Sequence, residues 1–206
     1  MPEPLLLAIL WGSVGPLVLT SLAIMGSPGP ATISLTAAGS AYGVRRSLAY
    51  LIGVISGTTI VIVAVGTGVT ATLLAVPAMR PVLIVISAAY ILRLAYKVAT
   101  APPLAAQSAA SAAPSLAGGT LLGIANPKAW VAIAATFAST NLTSSATTDA
   151  AAKIAVLTVM IILIMVIWLI VGASLAPLLR DPRRARIINA TLAAALIGAT
   201  ALVLVH

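Results

Sequence analysis

The sequence contains no cysteine, and its one histidine is the last residue, His206. Disulfide bonds and thiolate metal sites are therefore excluded. Transition metals that bind through thiolate and imidazole groups are not expected as ligands. Acidic residues are almost as scarce, since there are only three: Glu3, Asp149 and Asp181. We expect neither a metal site nor a cofactor.

Charged residues of both signs make up only 7% of the chain, whereas 61% of it is hydrophobic. A soluble domain needs more surface charge than this, so the composition indicates an integral membrane protein. The net charge of +8 lies in short segments between apolar runs, as the positive-inside bias requires, and does not indicate nucleic-acid binding. No nucleophile, metal site or pair of acids lies within the apolar runs, which argues against an enzyme.

Six long apolar runs predict an all-α protein with six transmembrane helices. The first run lacks the basic start of a signal peptide, and we expect it to be retained as a span. We interpret residues 1–206 as a single transmembrane domain with halves at about 1–100 and about 116–206 and a linker at about 101–115. The six runs are Pro4 to Met25, Leu48 to Val69, Pro81 to Ala99, Leu116 to Ala138, Ile154 to Leu179 and Ile187 to Val205. A short helical piece from Ala31 to Ala41 follows the first run.

The basic residues predict the orientation of these spans. Lys128 falls inside a run, and the connections on one side hold only Arg80 and Lys153. By the positive-inside rule the more basic side faces the cytoplasm, which places both termini outside. The more basic side holds eight residues: Arg45, Arg46, Arg93, Lys97, Arg180, Arg183, Arg184 and Arg186.

The sequence has two proline breaks in its apolar segments. Pro28-Gly29-Pro30 separates the first run from the short helical piece after it. Its two prolines remove two backbone donors, and Gly29 is free to adopt a positive φ. Asn126-Pro127 interrupts the fourth run. Within a membrane, a broken helix is tolerated where its freed backbone is buried in protein or lines a cavity. Each proline alone favours a simple kink, but the pair, with polar neighbours, favours a functional site.

The two breaks lie about half a chain apart, each in the first span of a three-span half. Because three is odd, two related halves would insert with opposite orientation. This predicts a 3+3 inverted repeat, the plan of many secondary transporters. Matches between the halves are limited to alanines, which composition alone can explain. Three Gly-x-x-x-Gly spacings, starting at Gly39, Gly53 and Gly119, predict one close helix crossing among them.

Several segments together resemble the LysE (RhtB-type) family of amino-acid exporters. The N-terminal signature is similar at residues 27–32, 43–48 and 53–57, the third span at 88–97, and the second signature at 119–129. The resemblance implies export of amino acids or related small metabolites across the bacterial cytoplasmic membrane, driven by an ion gradient. Two features depart from the family pattern: Ala31 stands where many members carry Asn or Asp, and the second span has no acidic residue. A non-transporting assembly or scaffold subunit is the alternative, although it would not need broken helices.

We predict that the substrate site lies at the two breaks, because half-helix N-termini present unpaired N–H groups that suit a carboxylate. Lys128 would complete it, although a snorkelling lysine is the alternative. Without acids in the spans, a neutral amino acid is favoured over a cationic one, and Lys128 is the candidate carrier of a coupled proton. Membrane lipid is the other expected partner, and a homodimer is left open. The predicted substrate-binding residues are Pro28, Gly29, Pro30, Thr32, Asn126, Pro127 and Lys128.

Overall fold

The computed structural model describes residues 3–68, 79–100, 113–175, 177–178 and 181–205, and these ranges are mainly helical and contain no strand. The predicted all-α class is confirmed. Most of the predicted linker, and the predicted ends of the second and fifth spans at Val69 and Leu179, lie outside the described residues. The helices are α1 (Glu3–Met25), α2 (Pro30–Gly66), α3 (Met79–Ala99), α4 (Leu116–Ala125), α5 (Pro127–Ser139), α6 (Ala146–Ser174) and α7 (Pro182–Val205).

Helix α2 is bent at Gly43, where φ is 73° and ψ is 170°. A side chain would be strained in this conformation, so glycine is required here. The sequence predicts a connection at residues 42–46, and the break at Gly43 lies within it. The connection is a one-residue kink, not a loop, since Arg45 and Arg46 are already helical. The hydroxyl of Ser47 donates to the carbonyl of Ala38 at 3.0 Å and pairs a backbone group near the bend. The kink divides α2 into a first arm, residues 30–42, and a second arm, residues 44–66.

The first arm of α2 lies in the centre of the protein, and every residue from 31 to 41 is buried. It packs against α6 at backbone distance, because both helices carry small residues at the crossing. A Cβ atom on Gly172 would lie 2.6 Å from the Cα of Thr36. A Cβ atom on Gly39 would lie 3.0 Å from the backbone nitrogen of Ala173. The hydroxyl of Thr36 also bonds across this crossing, to the Trp168 carbonyl at 3.3 Å.

The second arm of α2 crosses α4 just as closely. A Cβ atom on Gly57 would lie 3.0 Å from the Cα of Gly123, and one on Gly123 would lie 2.7 Å from the Val54 carbonyl oxygen. Gly53 and Gly119 are in similar contact with the backbone of the opposite helix. Two of the three Gly-x-x-x-Gly spacings thus face each other in one crossing, as small residues do in membrane helices.

Two of the described helices are long and apolar enough to cross a membrane, namely α2, with a mean hydropathy of 2.3, and α6, with 3.3. The second arm of α2 alone would extend about 35 Å, enough for a hydrocarbon core of about 30 Å. Helices α4 and α5 meet at an angle of 55° and would count as a third, broken span. The protein is an integral membrane protein, and six spans stay a prediction.

Candidate functional site

Lys128 joins the two helix breaks. It lies in the first turn of α5, and its ammonium donates to the carbonyl of Ser27 at 2.7 Å, the hydroxyl of Ser27 at 2.8 Å and the carbonyl of Pro28 at 3.1 Å. These acceptors follow the C-terminal end of α1, where free carbonyls and the helix dipole favour a cation. The unfavourable position of Lys128 at the start of α5 is therefore offset by the end of α1.

Gly29 lies directly beneath this lysine. Its φ of −169° and ψ of −179° are ordinary extended backbone, so the freedom of glycine to adopt a positive φ is not used here. Glycine leaves room for Lys128 in its present position, because a Cβ atom would lie 2.7 Å from Cδ of Lys128 and 2.9 Å from Nζ.

Thr32 closes the start of α2. Its hydroxyl accepts a hydrogen bond from the Gly29 N–H at 2.8 Å and donates to the Gly29 carbonyl at 3.1 Å. Pro30 occupies the first helical position, where the missing donor costs nothing. The N–H of Gly29 is consequently engaged, and the backbone donors left at this end belong to the first turn of the helix, at Ala31 and Thr32.

Two tryptophans pair carbonyls that the breaks leave free. The indole N–H of Trp168 donates to the Gly26 carbonyl at 3.1 Å, and that of Trp130 donates to the Ile124 carbonyl at 2.7 Å. The sequence predicts that Trp130, Trp168 and Tyr90 are packing or interfacial aromatics. It does not predict that the two indoles donate hydrogen bonds to carbonyls at the breaks. Trp130 lies one turn after the second break, and this spacing could have indicated that its indole reaches a carbonyl at the break. Trp168 contacts a carbonyl far away in the chain, so no local pattern indicates its role.

A small cavity of ≈ 30 Å³ lies between the breaks. This is room for one or two water molecules. Of the predicted site residues, Gly29, Thr32, Asn126 and Lys128 line it, whereas the three prolines lie beside it. Thr58, from the second arm of α2, also lines it, and nothing in the sequence indicates this. The remaining lining residues are small or apolar: Met25, Ala31, Ala129, Ala132, Ile161 and Met165.

A buried ion pair lies at the other end of α5. Lys153 is 2% exposed, and its ammonium lies 2.7 Å from Oδ2 of Asp149 and donates to the Phe137 carbonyl at 2.9 Å. Oδ1 of Asp149 accepts from the backbone of Leu142 at 2.6 Å and of Thr143 at 3.2 Å. The sequence predicts loop positions for both charges, which is wrong, since both lie in the first two turns of α6. The pair connects the end of α5, the chain after it and the start of α6.

The family comparison covers both breaks, Lys128 and this ion pair, since the model of the LysE type translocator matches residues 22–206. The chain belongs to the LysE type translocator family. Comparisons with curated proteins and with solved structures gave no match. The family is one of transporters that export amino acids or related compounds, and it is not enzymatic. A small-molecule substrate and a membrane environment follow for this translocator.

Proposed function

We propose that this translocator exports a neutral amino acid or a close derivative across the bacterial cytoplasmic membrane, driven by an ion gradient. The substrate binds between the two broken helices, with its carboxylate at Lys128. The observation that carries this proposal is the bridge from Lys128 on α5 to Ser27 and Pro28 on the other break. One basic side chain thus connects both breaks beside a cavity.

The cavity is too small for an amino acid, so the breaks must separate to admit one. The Pro28 carbonyl and the Ser27 hydroxyl are the acceptors that a carboxylate would replace at Lys128. An ion pair of this kind carries stronger, charge-assisted hydrogen bonds. The first turn of α2 adds N–H donors for the same anion. Substrate binding would therefore break the hydrogen bonds between Lys128 and the first break. The two breaks could then separate, so that binding of substrate promotes opening of the site.

Lys128 is also the titratable side chain among the residues that line the cavity. Lysine is a compact cation that can give up its proton when it is desolvated, whereas arginine cannot. We infer that Lys128 carries the coupled proton, because the described residues that line the cavity include no carboxylate or imidazole for this task.

The architecture that we propose is six spans in a 3+3 inverted repeat, with both termini outside. The first arm of α2, residues 30–42, supports it, because this arm follows a break, begins with proline and matches the 13 residues of α5. A homodimer is compatible with this plan. A scaffold subunit is the alternative function, although it would not require a basic side chain between two breaks.

Efflux from proteoliposomes loaded with a panel of neutral, cationic and anionic amino acids tests the proposal. The wild type should release neutral amino acids faster than protein-free vesicles. Lys128→Met should lower this rate at least tenfold while the protein still inserts, because the carboxylate partner and the proton carrier are lost together. Lys128→Arg should retain binding but lose the response to a pH gradient. Wild-type efflux by a well-inserted Lys128→Met variant would refute the site, and no release of any amino acid by the wild type would favour the scaffold alternative.

A further inference from the structure

The side-chain oxygen of Asn126 is buried without a hydrogen-bond partner. Asn126 is 5% exposed and lines the cavity between the breaks, yet its Oδ1 accepts no hydrogen bond from any protein group in the described part of the chain. Buried polar atoms are nearly always paired, and an unpaired one destabilises the protein that contains it. If this amide served only to stabilise the fold, we would expect its oxygen to accept a hydrogen bond from a protein group.

The usual structural role of asparagine at this position is also unused. Asn126 is the N-cap residue of α5, but its side chain makes no capping hydrogen bond. The first turn is held instead by its backbone, whose carbonyl accepts from Ala129 N–H at 3.0 Å. Serine or aspartate would cap a helix here equally well. The amide must therefore be explained by something other than helix capping.

The polar side chains around the cavity do not supply a donor to Asn126. The Thr58 hydroxyl donates to the Val54 carbonyl at 2.8 Å, and the Thr32 hydroxyl donates to Gly29. Lys128 uses its ammonium at Ser27 and Pro28. A donor for this oxygen can therefore come from a molecule in the cavity, either water when no substrate is bound or a polar group of the substrate.

We propose that Asn126 Oδ1 accepts a hydrogen bond from the α-ammonium group of the exported amino acid. Lys128 and Asn126, which are two residues apart, would then hold the two charged ends of one zwitterion. Met25, Ile161 and Met165 line the same cavity and would surround an aliphatic side chain. An uncharged acceptor also fits the absence of a carboxylate among the lining residues. This inference rests on the proposed function and specifies its substrate as a short aliphatic amino acid with a free ammonium group.

The test compares amino acids with their deaminated analogues on the purified full chain in detergent. The probes are L-alanine, L-valine and L-leucine, each paired with the carboxylic acid that lacks only the ammonium group, such as 3-methylbutanoate for L-valine. Binding is followed through the ligand-induced rise in the thermal unfolding midpoint. The wild type should bind the preferred amino acid about 10- to 100-fold more tightly than its analogue, the effect of one hydrogen bond to a charged group.

Asn126→Leu should remove this preference, so that amino acid and analogue bind equally weakly. Without ligand, the same variant should unfold about 2–4 °C higher than the wild type, because an unpaired buried acceptor is gone. Asn141→Leu, at an exposed asparagine after α5, is the matched control and should change neither quantity. Asn126→Asp gives a second test. The new carboxylate should still bind the ammonium group of the amino acid, and it should weaken binding of the anionic analogue.

A preference that persists in Asn126→Leu would overturn the inference and leave the proposed function intact. A lower unfolding midpoint in that variant would show that the amide is structural, and it would also overturn the inference. Binding of 3-methylbutanoate by Asn126→Asp as tightly as by the wild type would have the same consequence. If none of the amino acids stabilises the wild type and none is released from proteoliposomes, the proposed function fails as well.

Discussion

Lys128 passes so close to Gly29 that a methyl group on the glycine would lie 2.9 Å from the ammonium nitrogen. The two residues belong to different breaks, and each limits what the other position can accept. The lysine requires a residue without a side chain beneath it. Glycine in turn allows the lysine to reach the carbonyls of Ser27 and Pro28.

Gly29→Ala should displace the Lys128 ammonium without straining the backbone, because alanine readily adopts the extended conformation found here. We expect export to fall about tenfold, equivalent to about 1.4 kcal/mol, with normal insertion. Gly198→Ala is the control, since a Cβ atom there would meet nothing within 4 Å. If the effect acts through Lys128, Gly29→Ala should cause no further loss in a Lys128→Met background, whereas additive losses would contradict it.

Gly57→Ala should destabilise the crossing of α2 and α4. The added methyl group would lie 3.0 Å from both the Cα of Gly123 and the backbone nitrogen of Ile124, so the two helices must move apart. Overpacking of this kind costs about 1–3 kcal/mol. The unfolding midpoint in detergent should fall clearly below that of Gly198→Ala. Equal midpoints would mean that the crossing is not close in solution.

Asp149→Ala should be more destabilising than removal of the whole ion pair. The single change leaves the Lys153 ammonium buried without its counter-charge, which costs about 3–5 kcal/mol. In the double variant Asp149→Ala/Lys153→Met, no buried charge is left. Denaturant unfolding of both variants measures the difference. A double variant at least as unstable as Asp149→Ala would show that the charges do not depend on each other.

Cysteines introduced at Ala109 and Ser145 should react with an impermeant thiol reagent from opposite sides of the membrane. The native chain has no cysteine, so each introduced thiol is the sole target. Ala109 lies in the predicted cytoplasmic linker, and the exposed Ser145 precedes α6 on the predicted outer side. Labelling of both from one side would exclude the six-span topology and, with it, the inverted repeat.

The two breaks could be predicted from the sequence because proline acts on its own backbone and on the residue before it. An interruption near Gly43 could be predicted as well, but its length could not, since Arg45 and Arg46 are typical of a loop between spans and are helical in the structure. Asp149 and Lys153 have the spacing of a helical ion pair, but they precede the apolar run that defined the span. The spacing of the two charges indicates a helix, but the predicted start of the span is set by the hydropathy of the run that follows them.

The candidate site was predictable only in part, for a similar reason. Lys128 and Asn126 stand next to a proline, so their neighbourhood indicates them directly. The need for glycine at position 29 depends instead on a side chain far away in the chain. Thr58 reaches the cavity from the second arm of α2, and its place depends on the close crossing with α4. Such contacts follow from tertiary packing, which no short pattern contains.

The hydrogen bonds from Trp168 and Trp130 give the translocator built-in optical reporters. Two of its three tryptophans are bonded to the broken segments, one at each. Indole fluorescence responds to the loss of a hydrogen bond and to the entry of water. Separation of either break during transport can therefore be followed by intrinsic emission, without any attached label. Replacing Trp11 and one of these two indoles by phenylalanine would leave a single tryptophan that reports on its own break, so the order in which the two breaks open can be timed.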